Sequence, residues 1–238
     1  SDVCSSDLSL AGRGGILSGL SPAQRAAVVH SGAPLLITAG PGTGKTRALT
    51  HRVAHRVQQG LDPRRVLAVT FTNRAADEMR GRLRRLLGQE RARQVRVSTF
   101  HALALYLVNR RRGENGLCRL TVLDPTEQQS ELDAERAGGA DVERLPGASI
   151  TVDGLIPAAV RLLAAEPGYL ERTRAELELV CVDEYQDIDR GQYELVRLMC
   201  PSRPGLDLCV IGDPDQAIYA FRGAEPGHFA RFTSDYPG

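Results

Sequence analysis

The feature that most limits how this chain can fold is one short turn set between two different periodicities. An apolar run at 35–39 leads into Ala39-Gly40-Pro41-Gly42-Thr43-Gly44-Lys45-Thr46, and a helical pattern then continues to Gln59. Glycines at that spacing let the backbone wrap, so that successive N–H groups and the start of the helix converge on one anionic group. In such a loop the lysine reaches the β- and γ-phosphates of a nucleotide, and the following hydroxyl, here Thr46, ligates Mg²⁺. This is a P-loop in which Ala39 stands where the motif usually opens with glycine. The basic residues sharpen the reading, because 29 of the 30 are arginine and Lys45 is the only lysine. An ammonium is a compact point charge that a planar guanidinium does not replace between phosphate oxygens.

A loop of this kind needs a sheet around it. Further apolar runs bounded by turn residues lie at 66–70, 95–99, 179–183 and 208–212, mostly separated by helical patterns. They predict an α/β fold, a mainly parallel sheet with helices on both faces. Ser21-Pro22 reads as an N-cap and first-turn proline opening a helix through His30. Between Gly113 and Glu178 the sequence turns acidic and contains Gly138-Gly139 and Pro146-Gly147, which predicts a small, loosely packed, mainly helical inserted subdomain. Residues 1–8 look like a translated sequencing adapter and are set aside as non-native. The expected division is therefore 9–112 and 179–238 for the two parts of the sheet domain, with 113–178 inserted.

Composition excludes several classes. With 238 residues, 42% hydrophobic and 25% charged, the chain is neither a disordered nor a fibrous sequence. No apolar run approaches the roughly 18 residues of a membrane span, and none follows a basic leader, so no membrane partner and a cytoplasmic location are expected. The five cysteines are scattered without a C-x-x-C pair, which disfavours a disulfide framework or structural zinc; Cys181 and Cys209 read as small core residues. His51 and His55 are one helical turn apart but have no third ligand in view. The formal charge of +1 hides 16 arginines against 4 acidic residues over 47–112, and 16 acidic residues against 5 arginines over 124–189. The first stretch is either a basic surface or a set of solvated helix faces.

A second constellation matches the first. Leu179-Val180-Cys181-Val182 is a buried-strand pattern that delivers Asp183-Glu184 to the carboxyl end of the strand, where doubly wound sheets bind ligands. Beside a P-loop, Asp183 is expected to hold Mg²⁺ and Glu184 to take a proton from an attacking water. The run at 208–212 ends in Asp213-Pro214-Asp215-Gln216, which brings an amide within reach of a γ-phosphate.

The blocks Thr70-Phe71-Thr72-Asn73-Arg74-Ala75-Ala76, Ser98-Thr99-Phe100-His101, Asp183-Glu184-Tyr185-Gln186-Asp187 and 212–224 together resemble the UvrD/Rep family of superfamily 1 DNA helicases. Leu20-Ser21-Pro22-Ala23-Gln24 resembles the family's adenine-reading motif. The resemblance runs from about Leu20 to Pro237 and is weak through the insertion. It implies a RecA-like lobe that uses ATP and Mg²⁺, with Gln24 on the adenine, Arg47 near the base, and Gln186 and Gln216 sensing the γ-phosphate. It further implies that Phe71, Asn73, His101, Tyr219, Phe221 and Arg222 line a single-stranded DNA path. Aromatic faces stack on bases irrespective of sequence, which suits a motor that steps along any strand. Phe221 stands where the family usually has tryptophan, and the insertion is shorter than the family's. The family's second RecA-like lobe, with its catalytic arginines, would begin after Gly238. The expected function is therefore the ATP-binding lobe of a 3′→5′ DNA helicase or translocase acting on single strands or single/double-strand junctions. Residues 1–238 alone are expected to bind nucleotide but hardly hydrolyse it. The competing readings are a DNA translocase or recombination mediator that does not unwind, and a non-motor P-loop switch or phosphotransferase indifferent to DNA.

Overall fold

The computed structural model describes residues 15–32, 34–123, 149–216 and 227–237. Residues 1–8, the middle of the 113–178 stretch, and Tyr219, Phe221 and Arg222 lie outside them. Five strands form one sheet in the order β1-β7-β6-β2-β3, and every pair in it is parallel: β1 (Leu35–Thr38), β2 (Val66–Thr70), β3 (Arg96–Thr99), β6 (Leu179–Val182) and β7 (Asp207–Gly212). The strands match the apolar runs of the sequence to within a residue at each end.

Strand alternation builds two cores. Val66, Ala68, Leu179, Cys181, Cys209 and Ile211 face one side, where α2 (Lys45–Gln58), α3 (Asn73–Leu87) and α4 (Gln89–Gln94) bring Leu49, Val53, Met79, Leu83 and Ala92. Leu67, Val69, Val180, Val182, Leu208 and Val210 face the other side and meet Phe100, Leu103 and Leu107 of α5 (Phe100–Glu114). Strands buried on both faces are the signature of a sheet sandwiched between helix layers. Cys181 and Cys209 sit side by side in register. The hydrogen bond with Cys209 and burial push the Cys181 thiol well above its ordinary value, so it acts as an inert packing group, with Cys209 fully buried beside it.

Within the inserted stretch the structure departs from the expectation of loose helical packing. A short parallel pair, β4 (Thr121–Leu123) with β5 (Ser149–Thr151), precedes α6 (Val152–Ala165) and α7 (Pro167–Ala175). Leu155, Ile156, Ala159, Leu163 and Tyr169 from these helices lie at most 4% exposed inside the same core as Val180 and Val182. The sequence concealed this because its Gly-Gly and Pro-Gly pairs fall at 138–147, outside the described residues, while the following helices carry an ordinary apolar stripe. On that face α8 (Arg190–Met199) and α9 (Gly227–Asp235) complete the layer, and the remaining helix, α1 (Pro22–Val29), docks on α2.

Candidate nucleotide site and adjoining edge

Because the strands are parallel, all five carboxyl ends open on one edge, and each expected site residue in the described part of the chain follows one of them except Gln24, which comes from α1 ahead of β1. Backbone bonds tie four of these ends in two pairs: Ala39 N–H donates to Gly212 O at 3.0 Å, joining β1 to β7, and Asp183 N–H to Val69 O at 2.9 Å, joining β6 to β2. The P-loop leaves β1 and enters α2 through Gly44, whose φ of 84° lies in the left-handed region. A Cβ there would be strained and would also stand 2.9 Å from Gln24 Nε2, so this turn requires glycine. Thr43 Oγ1 donates to Gly40 O at 2.7 Å and ties the loop across its own base.

The two acidic side chains of the β6 end face the first turn of α2. Lys45 Nζ is 3.0 Å from Glu184 Oε2, and Thr46 Oγ1 donates to Asp183 Oδ2 at 3.2 Å. Glu184 is the one non-glycine residue with positive φ among the described residues, at φ 51° and ψ 46°. A side chain held in that region costs of order 1 kcal/mol or more and persists only where the surroundings fix it. Here Glu184 N–H donates to Asp183 Oδ1 at 3.1 Å, and its carboxylate bridges Lys45 and Gln186. Burial, followed by the neighbouring Glu184 charge, pushes the Asp183 carboxyl up to about 6, against a smaller opposing effect of the Thr46 hydroxyl. A hydroxyl and a buried carboxylate strained by a second negative charge form an all-oxygen donor set suited to a small divalent cation, so these residues fit Mg²⁺.

Gln186 is 3% exposed and its amide is fully engaged. Nε2 donates to Glu184 Oε2 at 3.0 Å and Asp187 Oδ2 at 2.9 Å, while Oε1 accepts Asp213 N–H at 3.0 Å. It therefore couples the β6 and β7 ends. Gln216 folds back on Asp213, donating through Nε2 to Oδ2, and Asp213 Oδ1 accepts Asp215 N–H at 3.1 Å. Gln24 forms a capping box with Ser21 at the start of α1 and donates from Nε2 to Thr43 O at 2.8 Å, which places it against the P-loop. Arg47 donates to Gly19 O at 2.9 Å. Phe71, Asn73 and His101 follow β2 and β3 on the same edge; Asn73 is exposed and the two rings are half-buried.

Two contributors escaped sequence reading. Gly212 ends β7 against Gln186, and a Cβ there would run into Gln186 Oε1 and lie 2.9 Å from Phe229 Cε2. A glycine closing an apolar strand just before an acidic turn was the available signal. Arg52 is a fully buried side chain of α2 paired with Asp207, 155 positions away, and no local pattern announces that pair.

The family model of the UvrD/REP helicase N-terminal domain matches residues 20–146 and 140–237. The chain is similar to the ATP-dependent DNA helicase PcrA of Leuconostoc citreum, 35% identical over 93% of this chain and 36% of that protein. It is 34% identical to PcrA of Bacillus subtilis (strain 168), again over 93% and 36%. Against PcrA of Staphylococcus epidermidis the figures are 32%, 93% and 37%. The chain thus spans little more than a third of the length of these curated relatives. The matched stretch runs over 271 positions against a chain of 238, so the relatives carry residues inside it that this chain lacks.

Proposed function

The chain belongs to the UvrD/REP helicase family, and from that premise we propose that it is the ATP-binding lobe of an ATP-dependent DNA helicase that moves 3′→5′ on single-stranded DNA. The observation that carries this reading is the convergence of Lys45 on Glu184 and Thr46 on Asp183 at neighbouring strand ends. Thr46 Oγ1 and Asp183 would hold Mg²⁺, which would supply charge neutralisation for the transferred phosphoryl group. Lys45 and the amides of 40–46 bind and orient the phosphates. The Lys45–Glu184 contact is a resting pair: phosphate oxygens entering the loop compete for the ammonium, and the Glu184 carboxylate is then free to accept a proton from the attacking water. Gln186 passes the change to Asp213 and the β7 end.

Gln24, docked on Thr43, is placed for the adenine, with Arg47 beside it; Gln216 is the γ-phosphate sensor of the β7 loop. Phe71, Asn73 and His101 supply the described part of the DNA path, beside the nucleotide on the same sheet edge. Supporting the whole-protein activity are the names of the relatives, which are DNA helicases. The test is Glu184→Gln in the complete helicase: ATP binding persists while DNA-stimulated turnover falls by about 10²-fold or more. Normal turnover in that variant would reduce Glu184 to a structural charge and remove the proposed chemistry.

A further inference from the structure

The outer face of α5 holds a groove that the nucleotide site does not use. It has a volume of about 450 Å³ and runs from Ala102 past Leu105, Tyr106 and Asn109 to Arg119 and Leu120. Ala102, Tyr106 and Asn109 are spaced i, i+4, i+7 and so form one stripe along the helix. Tyr106 remains 38% exposed, which is unusual for a large ring in a chain so poor in aromatics. Arg96 lies 4.2 Å from its ring centroid and donates from Nη2 to the Tyr106 hydroxyl at 3.0 Å, so the ring is held in place. Arg119 is exposed and makes no ion pair among the described residues. Arg110, also on the groove, is engaged by Glu176 at 2.5 Å. The charge that the groove itself offers is therefore Arg119, while Arg96 lies outside the lining and covers one face of the Tyr106 ring.

We propose that this groove is a second single-stranded DNA subsite, in which Tyr106, held on one face by Arg96, stacks its other face on a base and Arg119 takes a backbone phosphate. The inference rests on the DNA reading of the sheet edge, because Ala102, at one end of the groove, directly follows His101 in α5. From His101 to Asn109 the helix rises eight residues at 1.5 Å each, about 12 Å, the reach of a few nucleotides. A rigid aromatic face flanked by guanidinium groups is the combination that holds single strands without reading sequence. A nucleic-acid strand is favoured over a protein segment because, beside the apolar Ala102, Leu105 and Leu120, the lining carries an exposed ring, two arginines and no acidic side chain.

The test uses the 238-residue chain and fluorescent oligonucleotides of about 4 and about 16 nucleotides, spanning the usual range of single-strand site sizes. Tyr106→Ala should weaken the long oligonucleotide by about 5- to 150-fold and leave the short one unchanged, Tyr106→Phe should bind like the parent, and Arg119→Ala should flatten the salt dependence for the long oligonucleotide alone. Phe71→Ala should weaken both lengths. If Phe71→Ala weakens both and Tyr106→Ala neither, the groove proposal is overturned and the edge reading stands. If Phe71→Ala weakens neither, the edge reading fails and the continuous path fails with it. Equal weakening of both lengths by Tyr106→Ala would likewise overturn an extension distal to His101.

Discussion

Arg52 gives the sharpest test of how the site is held together. Its Nη2 donates to both Asp207 oxygens, at 2.6 and 2.8 Å, and Nη1 donates to Ala27 O at 2.7 Å and His30 O at 2.8 Å. One guanidinium thus satisfies the end of the Gln24-bearing helix α1, the first residue of β7, and its own place in α2 behind Lys45. The two side chains of the pair are only 1% and 6% exposed. Arg52→Met would leave Asp207 buried with Arg56 as its remaining partner, at 3.7 Å, and would strip two helix-end carbonyls of their donor. Removing one member of a buried pair costs about 3–5 kcal/mol, whereas replacing both by apolar groups is often nearly neutral. For a domain of this size that is a loss of about 6–20 °C in melting temperature. The assay is urea and thermal unfolding followed by two probes, to verify a single transition. Arg52→Met should fall by that amount, and Arg52→Met with Asp207→Leu should recover most of it. A single variant within about 1 kcal/mol of the parent would refute the claim that this pair ties α1, α2 and β7 together.

Gly212→Ala should lower the melting temperature by about 2–12 °C, from an overpacking cost of about 1–3 kcal/mol against Gln186 and Phe229, whereas Gly81→Ala, with open space around its α3 position, should be stabilising; a neutral Gly212→Ala would show that the β7 end does not seat Gln186 as described. Hydrogen bonds from Arg110, at 2.5 and 2.6 Å, hold the Glu176 carboxyl below its ordinary value of 4.5 against an opposing effect of burial. That contribution is present above the unfolded value and is lost as pH falls through the folded one. Melts should therefore separate the parent from Glu176→Gln at about pH 6 and show the gap narrowing as pH falls below the ordinary carboxylate range, and a gap that widened on acidification would contradict the assignment.

The parts of the fold that follow from local pattern were legible. Apolar runs punctuated by turn residues located the five strands, and the Ser21-Pro22 and Gly44-Lys45 junctions marked the starts of α1 and α2. That the P-loop and the acidic pair share one edge also followed, because both must sit at strand carboxyl ends of a parallel sheet, whereas the direct pairing of Lys45 with Glu184 was not foreseen. What remained hidden depends on contacts distant in sequence. The basic 47–112 stretch and the acidic 124–189 stretch partly neutralise each other through Arg65–Glu178, Arg110–Glu176 and Arg111–Glu166, so the expected basic surface is smaller than the count implied. Arg52–Asp207 and the seat of Gln186 on Gly212 are likewise products of strand order, which no single segment encodes. The packing of α6 was missed because an acidic, glycine-containing neighbourhood outweighed its apolar stripe.

The central claim is that the loop at 39–46 binds nucleotide through Lys45 and that Thr46 and Asp183 hold the metal with it. It is tested most directly by the shift in melting temperature that Mg·ATP produces in this chain and in Lys45→Ala. At about 100 times the dissociation constant, a ligand bound only by the folded state adds about 2.7 kcal/mol, or about 5–11 °C here. The parent should show a rise of that order that disappears when Mg²⁺ is chelated, and Lys45→Ala, folded normally without nucleotide, should show little or none. An equal rise in Lys45→Ala, or no rise in the parent, would contradict the claim.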